Sequence, residues 1–358
     1  MLWACENDTS NVASPTPQSD VLSAISANRA EFDKAIKIHD RHIPEILATR
    51  HVAGTAISAD EKGKPVITVY TKEQTPPGLL KKEYEGVRVV EQVSGEIRPF
   101  KGGGGGGGGG QAAQAAPVKM GTSGGWRFDL ANGFCCGGTL GALVQKGGNQ
   151  YVLSNYHVLY ADIVNGGNSR VASAGDPVIQ PGLIDVNCNA NGSINVASLV
   201  ANGGSLPMGG NAVDVGIAQV IPGQVDATGA ILNVGTISAT TQAASIGQAV
   251  KKMGRTTGLT RSTVSAINGA FSITYENECA GGTSFTQSYS SQVVIANRRC
   301  AFQNGGDSGS LLVQDVATNP RAVGLCFAGS VSCNNSAIAI ANPIGAVLSW
   351  AGATMVGQ

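Results

Sequence analysis

Residues Gln303–Val313 read QNGGDSGSLLV. Gly305, Gly306 and Asp307 stand before Ser308, Gly309 stands after it, and the chain then enters an apolar run of strand type. An ordinary turn needs one or two glycines. A serine bracketed this way is either a strained surface loop or a nucleophile with backbone N–H groups aimed at a reacting carbonyl. The second reading makes demands on the rest of the chain. It needs a base that reaches the hydroxyl and an acid that orients the base.

One imidazole meets the first demand. Of the four histidines only His157, in LSNYHVLY, comes after residue 51, and it stands at the end of an apolar strand. His39, His42 and His51 fall in or just after an upstream helix and read as solvated helix-face residues. For the acid, Asp214 in NAVDVGIAQV is flanked by Val213, Val215 and Ile217. A carboxylate among such residues is costly unless it is paired, and an imidazole N–H would pair it. Asp162 and Asp185 are weaker rivals in more polar, loop-like surroundings. The N–H groups of Gly306 and Ser308 would converge on an oxyanion, one such donor stabilising the transition state by about 3–4 kcal/mol. Gly309 would leave room behind the nucleophile.

Composition bounds the partners. The chain has 24 basic and 24 acidic residues, so nothing favours nucleic acid or an anionic membrane. No apolar run reaches the ~18 residues of a transmembrane helix. Fifty glycines with only 13% charged and 5% aromatic residues point to strands and turns. The cysteines are Cys5, Cys135, Cys136, Cys188, Cys279, Cys300, Cys326 and Cys333, with no C-x-x-C spacing, which argues against a zinc site. No cofactor is expected. Cys188, Cys279 and Cys333 lie in polar loops, as disulfide cysteines of an oxidising compartment do. Leu2-Trp3-Ala4-Cys5 looks like the end of a bacterial lipoprotein signal without its basic and apolar regions, although a chance cysteine is the simpler reading. Together these features favour a secreted or cell-envelope location over the cytoplasm.

Charge density divides the chain: 27 charged side chains lie in residues 1–110 and 21 in the much longer remainder. Nine glycines, Gly102–Gly110, mark the boundary. The expected organisation is a disordered 1–19, a small α+β unit at 20–100, a flexible linker at 101–117 and a β-domain at 118–358. In the small unit, helical spacing from Asp20, a fair N-cap, runs to about His42, and Pro44 restarts or kinks it. VAGTAISA, KPVITVYT and GVRVVEQVSGEIRPF follow as strands. Downstream, about a dozen short apolar or alternating runs imply an all-β domain of paired barrels or a sandwich. GRTTGLTRS, with Arg255 and Arg261, reads as a β-hairpin, since it lacks a phosphate-loop pattern. Only NPIGAVLSWAGA has the look of a terminal helix.

The order His157, Asp214, Ser308, with GTLGALV ahead of the histidine strand and GGDSGS at the serine, resembles the chymotrypsin/trypsin-like serine proteases. The resemblance covers residues from about 119 to the C-terminus. It implies a mainly β fold, a chymotrypsin-like double β-barrel of six strands each, with the triad in the cleft between them. A narrower likeness, carried by VKKMGRTTGLTRSTVSAI, GDSGSLLV, AVGLCFAGS and AIANPIGAVL, is to the Narrow-leaf-type trypsin-like proteins of plants and bacteria.

The resemblance implies a serine endopeptidase acting on a protein or peptide substrate, with residues 20–100 as an accessory unit or propeptide. The chain departs from activated trypsins in having no free N-terminus before the β-domain. Asp307 therefore needs another partner, a backbone N–H or a basic side chain. The base of the primary specificity pocket falls near Phe302 or Gln303, which argues against Lys or Arg preference. Phe327, Ala328 and Gly329 would line the substrate strand and favour a small or medium apolar residue before the cut. The alternative is a catalytically silent, peptide- or partner-binding protein of the same fold. Ester hydrolysis by the same machinery and a homo-oligomeric state are both left open.

Overall fold

The computed structural model describes residues 19–100, 109–131, 134–160, 170–206, 213–275 and 284–358. Cys5, Asp162, Cys279 and most of the glycine run lie outside the described residues. Helices α1 (Ser19–Ala27) and α2 (Arg29–Ala48) come first. The periodicity expected one helix to about His42, capped by Asp20. Instead the helix breaks at Asn28, Asp20 lies in the first turn, and α2 continues through Pro44 to Ala48. Phe32, Ala35, Ile38 and Ile46 bury one face of α2 on the sheet, and this packing outweighs the one hydrogen bond that Pro44 removes.

Strands β1 (Val52–Ala59), β2 (Pro65–Thr71), β3 (Glu83–Tyr84), β4 (Val87–Val93) and β5 (Ile97–Pro99) follow. The next group is β6 (Thr122–Trp126), β7 (Leu130–Ala131), β8 (Phe134–Cys135), β9 (Gly138–Leu140), β10 (Ala142–Lys146), β11 (Asn149–Ser154), helix α3 (Tyr156–Leu159), β12 (Pro177–Gln180), β13 (Ile194–Ser205) and β14 (Val215–Val220). The last is β15 (Ala249–Gly254), β16 (Gly258–Tyr275), β17 (Phe285–Ala296), β18 (Leu311–Gln314), β19 (Ala322–Ser330), β20 (Ile338–Pro343), helix α4 (Ile344–Ala351) and β21 (Thr354–Met355). No helix among the described residues is long and apolar enough to cross a membrane.

The fold is mainly β, with two antiparallel β-barrels preceded in the chain by a small α+β unit. Strands β15-β18-β19-β20-β17-β16 form one barrel, which closes because β15 also pairs with β16. Val250, Val264, Ile295, Leu312 and Val323 fill its interior. The other sheet runs in the order β21-β10-β11-β14-β13-β12-β6-β9. Only Gly141 separates β9 from β10, and its N–H donates to Leu153 O at 2.9 Å, so β9 and β10 are one bent strand that pairs with β6 at its start and β11 at its end. This closes a second barrel of six strands, as the resemblance implied. Ile344, Val347 and Ala351 of α4 and Leu311 and Leu325 of the first barrel share one core with Leu143, Val152, Leu153 and Ile217 of the second, so the two barrels meet along a packed seam.

Two features lie beyond what local pattern indicates. STVSAI and AFSITY, separate runs in the sequence, belong to the single long strand β16. Asn268-Gly269 between them is absorbed where the register against β17 shifts, a bulge instead of a turn. The outer part of β16 then pairs with β1, so β1, β2, β4 and β3 extend the sheet of the first barrel. Of the segment expected as a linker, Gly110 accepts hydrogen bonds from Thr122 and Ser123, and Gln114 is bonded to Gln180.

Candidate active site

The seam brings together residues held by different sheets. Strand β11 pairs with β14 so that Ser154 faces Gly216. The chain leaves β11 at Asn155 and turns at once into the single helical turn α3, which carries His157. Asp214 stands immediately before β14, one residue outside the strand in which the sequence placed it. Its backbone is clamped. Asn155 Nδ2 donates to its carbonyl at 2.7 Å, and its N–H donates to Asn342 Oδ1 at 3.2 Å.

Asp214 and His157 are buried and meet at 2.5 Å, Oδ2 to Nδ1. The His157 backbone N–H reaches Oδ1 at 3.3 Å, and the Tyr275 hydroxyl donates to Oδ2 at 2.9 Å. Tyr275 is in turn hydrogen-bonded to Tyr289. Burial, with the Asp214 charge adding to it, pushes both phenols well above their ordinary pKa, so they stay protonated as donors. A carboxylate with these donors is compensated in its buried setting. His157 Nε2 has no hydrogen-bond partner among the described residues. The rival Asp185 is taken elsewhere: its oxygens accept from Arg255 at 2.5 and 2.9 Å and from Ser123 at 2.5 Å. Asp162 lies outside the described residues.

Ser308 comes from the other sheet, in the turn before β18. It is fully buried, and its carbonyl accepts from Thr139 N–H at 2.8 Å, which fastens the turn to the second barrel. Its hydroxyl donates to Phe327 O at 2.9 Å, so in this rotamer it is not bonded to His157. Gly306 has φ 96°, and a Cβ there would lie 2.4 Å from Thr256 Oγ1. Both facts require glycine.

The open question of Asp307 has a definite answer. Its Oδ1 accepts from Thr256 N–H at 2.8 Å and Thr257 N–H at 3.1 Å. Its Oδ2 accepts from Thr257 Oγ1 at 2.7 Å and Asn304 N–H at 3.0 Å, and lies 3.3 Å from Lys252 Nζ. Lys252 and Asp307 are both fully buried. Lys252, Thr256 and Thr257 come from the β15–β16 hairpin, which is the GRTTGLTRS hairpin read in the sequence, and Asn304 from the serine's own loop. The backbone N–H and the basic side chain proposed as alternatives for Asp307 are both present.

The expected substrate strand is β19, and its edge is occupied. Strand β5 runs antiparallel to it, with Pro99 opposite Ala328, Arg98 opposite Gly329 and Ile97 opposite Ser330. Phe100 then donates its N–H to Phe327 O at 3.0 Å and accepts at its carbonyl from Gly306 N–H at 2.7 Å. Its buried ring lies against Gly329, where an added Cβ would come within 2.5 Å of Phe100 Cε2. Of the two residues expected at the base of the pocket, Phe302 is buried in the core of the first barrel with Leu312 and Cys326. Gln303 is fully buried, its backbone is held by Asn297, and neither polar atom of its side chain has a partner among the described residues.

Disulfides brace the loops around the site. Cys135 is bonded to Cys188 and Cys300 to Cys333, Cys136 is also disulfide-bonded, and Cys326 of β19 is a free, buried thiol among the described residues. Burial pushes the Cys326 thiol up to about 12, so it is an apolar filler.

The chain is similar to known proteins over this part. The family profile described as the Nal1 C-terminal domain matches residues 185–354, a span that holds Asp214 and Ser308 but not His157. Bacterial serine proteases resemble it in structure. A glutamic acid-specific serine protease, described as using a histidine triad in substrate binding, is 21% identical, with 66% of this chain and 100% of that chain covered at a TM-score of 0.44. Protease A of Thermobifida fusca is 19% identical, with 67% and 99% covered and a TM-score of 0.43. The Cellulomonas bogoriensis chymotrypsin is 20% identical, with 67% and 99% covered and a TM-score of 0.42. No match is found among curated proteins.

Proposed function

We propose that the protein is a serine endopeptidase of the trypsin-like class, within the Narrow-leaf-type subgroup, with residues 118–358 as the protease and residues 20–100 as its accessory unit. The observation that carries this reading is the buried His157–Asp214 pair. Anchoring Nδ1–H on the carboxylate leaves the Nε2 lone pair unpartnered on the same seam as Ser308. That is the tautomer a general base needs.

After the Ser308 side chain rotates away from Phe327, Nε2 takes its proton as Oγ attacks the substrate carbonyl. The N–H groups of Gly306 and Ser308 hold the oxyanion. His157 then passes the proton to the leaving amine, and water releases the acyl group by the reverse sequence. The subgroup is supported by the Nal1-type match and by the motifs around Lys252 and Ser308.

A fluorophosphonate probe tests the activity. Purified protein is expected to label at Ser308, and Ser308→Ala to abolish labelling. Asp214→Asn is expected to lower peptidase kcat about 10⁴-fold, because it permits the wrong tautomer. Folded protein that no probe labels, with or without its N-terminal unit, would favour a silent binder.

A further inference from the structure

We infer that the protein's own peptide bond after Phe100 is a substrate of Ser308, so that Ile97-Arg98-Pro99-Phe100 is a self-processing sequence and the primary pocket takes a phenylalanine. The inference rests on the protease reading and adds the bond and the side-chain class.

Several contacts point the same way. Residues 97–99 add an antiparallel strand to β19, the edge on which an extended peptide would lie. The Phe100 N–H donates to Phe327 O, the same oxygen that accepts the Ser308 hydroxyl, so nucleophile and target residue share one acceptor. The Phe100 carbonyl leaves the strand and ends on Gly306 N–H, inside the glycine turn that carries Ser308. A strand that only covered an exposed edge would not need to direct its last carbonyl there. Finally, the Phe100 ring is buried against Gly329. Only a residue without a side chain on that wall leaves space for an aromatic ring, so the expectation of a small or medium residue gives way to a large one.

Ser308 Oγ loses its proton to His157 Nε2 and bonds to the Phe100 carbonyl carbon. The C–N bond to Lys101 breaks, and the nitrogen leaves with the proton from His157. Water then adds to the acyl carbon, giving one proton to His157, and the C–Oγ bond breaks as His157 passes that proton to Ser308 Oγ. The products are residues 1–100, ending in the Phe100 carboxylate, and residues 101–358, starting with a free amine. Strand β1 stays paired with β16, so the fragments are expected to remain associated and the cleft to stay filled by its own product.

Intact mass and N-terminal sequencing of the full chain, followed with time, test this. The expected result is a single cut between Phe100 and Lys101 at a rate independent of protein concentration, absent in Ser308→Ala, retained in Phe100→Leu and lost at least 100-fold in Phe100→Asp. A fluorophosphonate probe run on wild type and Phe100→Asp separates the two readings. Labelling of Phe100→Asp at Ser308 with no cut is expected, whereas wild type that labels at Ser308 without any cut after Phe100, or with a cut only elsewhere, overturns this inference and leaves the protease reading standing. No cut and no labelling of either protein removes the protease reading and this inference with it. In released enzyme, peptides with Phe before the bond are expected to exceed those with Ala at least tenfold in kcat/KM, and Gly329→Val to reverse that order. An unchanged order would refute the assigned pocket.

Discussion

Asp307 shows how a buried carboxylate beside Ser308 is held by groups distant along the chain. Two backbone N–H groups of the β15–β16 hairpin fix one oxygen, and the Thr257 hydroxyl, the Asn304 N–H and the Lys252 ammonium surround the other. The carboxylate therefore ties the hairpin to the turn that sets Gly306 N–H. Lys252 also donates to Thr257 Oγ1 and to Gly258 O, so its charge is compensated at full burial. Removing one partner of such a pair leaves an uncompensated buried charge, at a cost of about 3–5 kcal/mol. Lys252→Met is expected to lower unfolding stability by that order and to reduce kcat more than it raises KM, because the Gly306 donor moves. Urea denaturation with steady-state kinetics checks it, and a variant with wild-type stability would refute the role assigned to Lys252.

Among the elements, α2 and β16 carry a contact that pH can address. His39 was expected on a solvated helix face. It is instead fully buried between α2 and the sheet, while His42 and His51 meet Glu85 and Glu73 nearer the surface. Its Nδ1 accepts from Asn268 at 3.3 Å, its Nε2 meets Thr55 Oγ1 at 3.1 Å, and the Asn268 amide also donates to Asp40. Burial lowers its pKa to about 4, with Asp40 opposing the shift. The folded value lies below the unfolded one, so the unfolded chain binds the proton first as pH falls. The stabilising contribution is complete above about pH 6.5 and is lost as pH falls toward 4, by up to about 3 kcal/mol. His39→Gln can keep both hydrogen bonds without titrating. Wild type is expected to lose more stability than this variant between pH 7 and 4, as read by denaturant midpoints. Equal losses would contradict the shift.

At the scale of the molecule, the small α+β unit grips the β-body at two places. Strand β1 continues the first barrel's sheet beside β16, and β5 lies along β19. At the first contact Gly54 admits the ring of Phe271, whose Cδ1 would lie 2.0 Å from an added Cβ. Without β1, this part of β16 would be a long edge with apolar residues, prone to pairing with other chains. Residues 118–358 expressed alone are therefore expected to give less folded, active protein than the full chain, and added residues 19–100 are expected to restore the yield. Equal folding and activity with and without residues 1–110 would refute the accessory role.

The sequence by itself determined the strands and the chemical types at the site. Val52–Ala59, Ala249–Gly254 and Ala322–Ser330 are strands whose apolar or alternating pattern is local, and most of their boundaries were legible. His157, Asp214 and Ser308 stood out because a lone imidazole, a carboxylate among valines and a serine among glycines are each unusual where they stand. Only the tertiary structure decided what those residues touch. Lys252 meets Asp307 across 55 positions of the chain, Arg255 takes Asp185 across 70, and Tyr275 reaches Asp214 across 61. No short window of sequence carries such pairs, because sheet pairing, not neighbourhood along the chain, brings them together. The same holds for Phe100: as sequence it is the last residue of a strand before a glycine run, and only the pairing of β5 with β19 sets its carbonyl on Gly306.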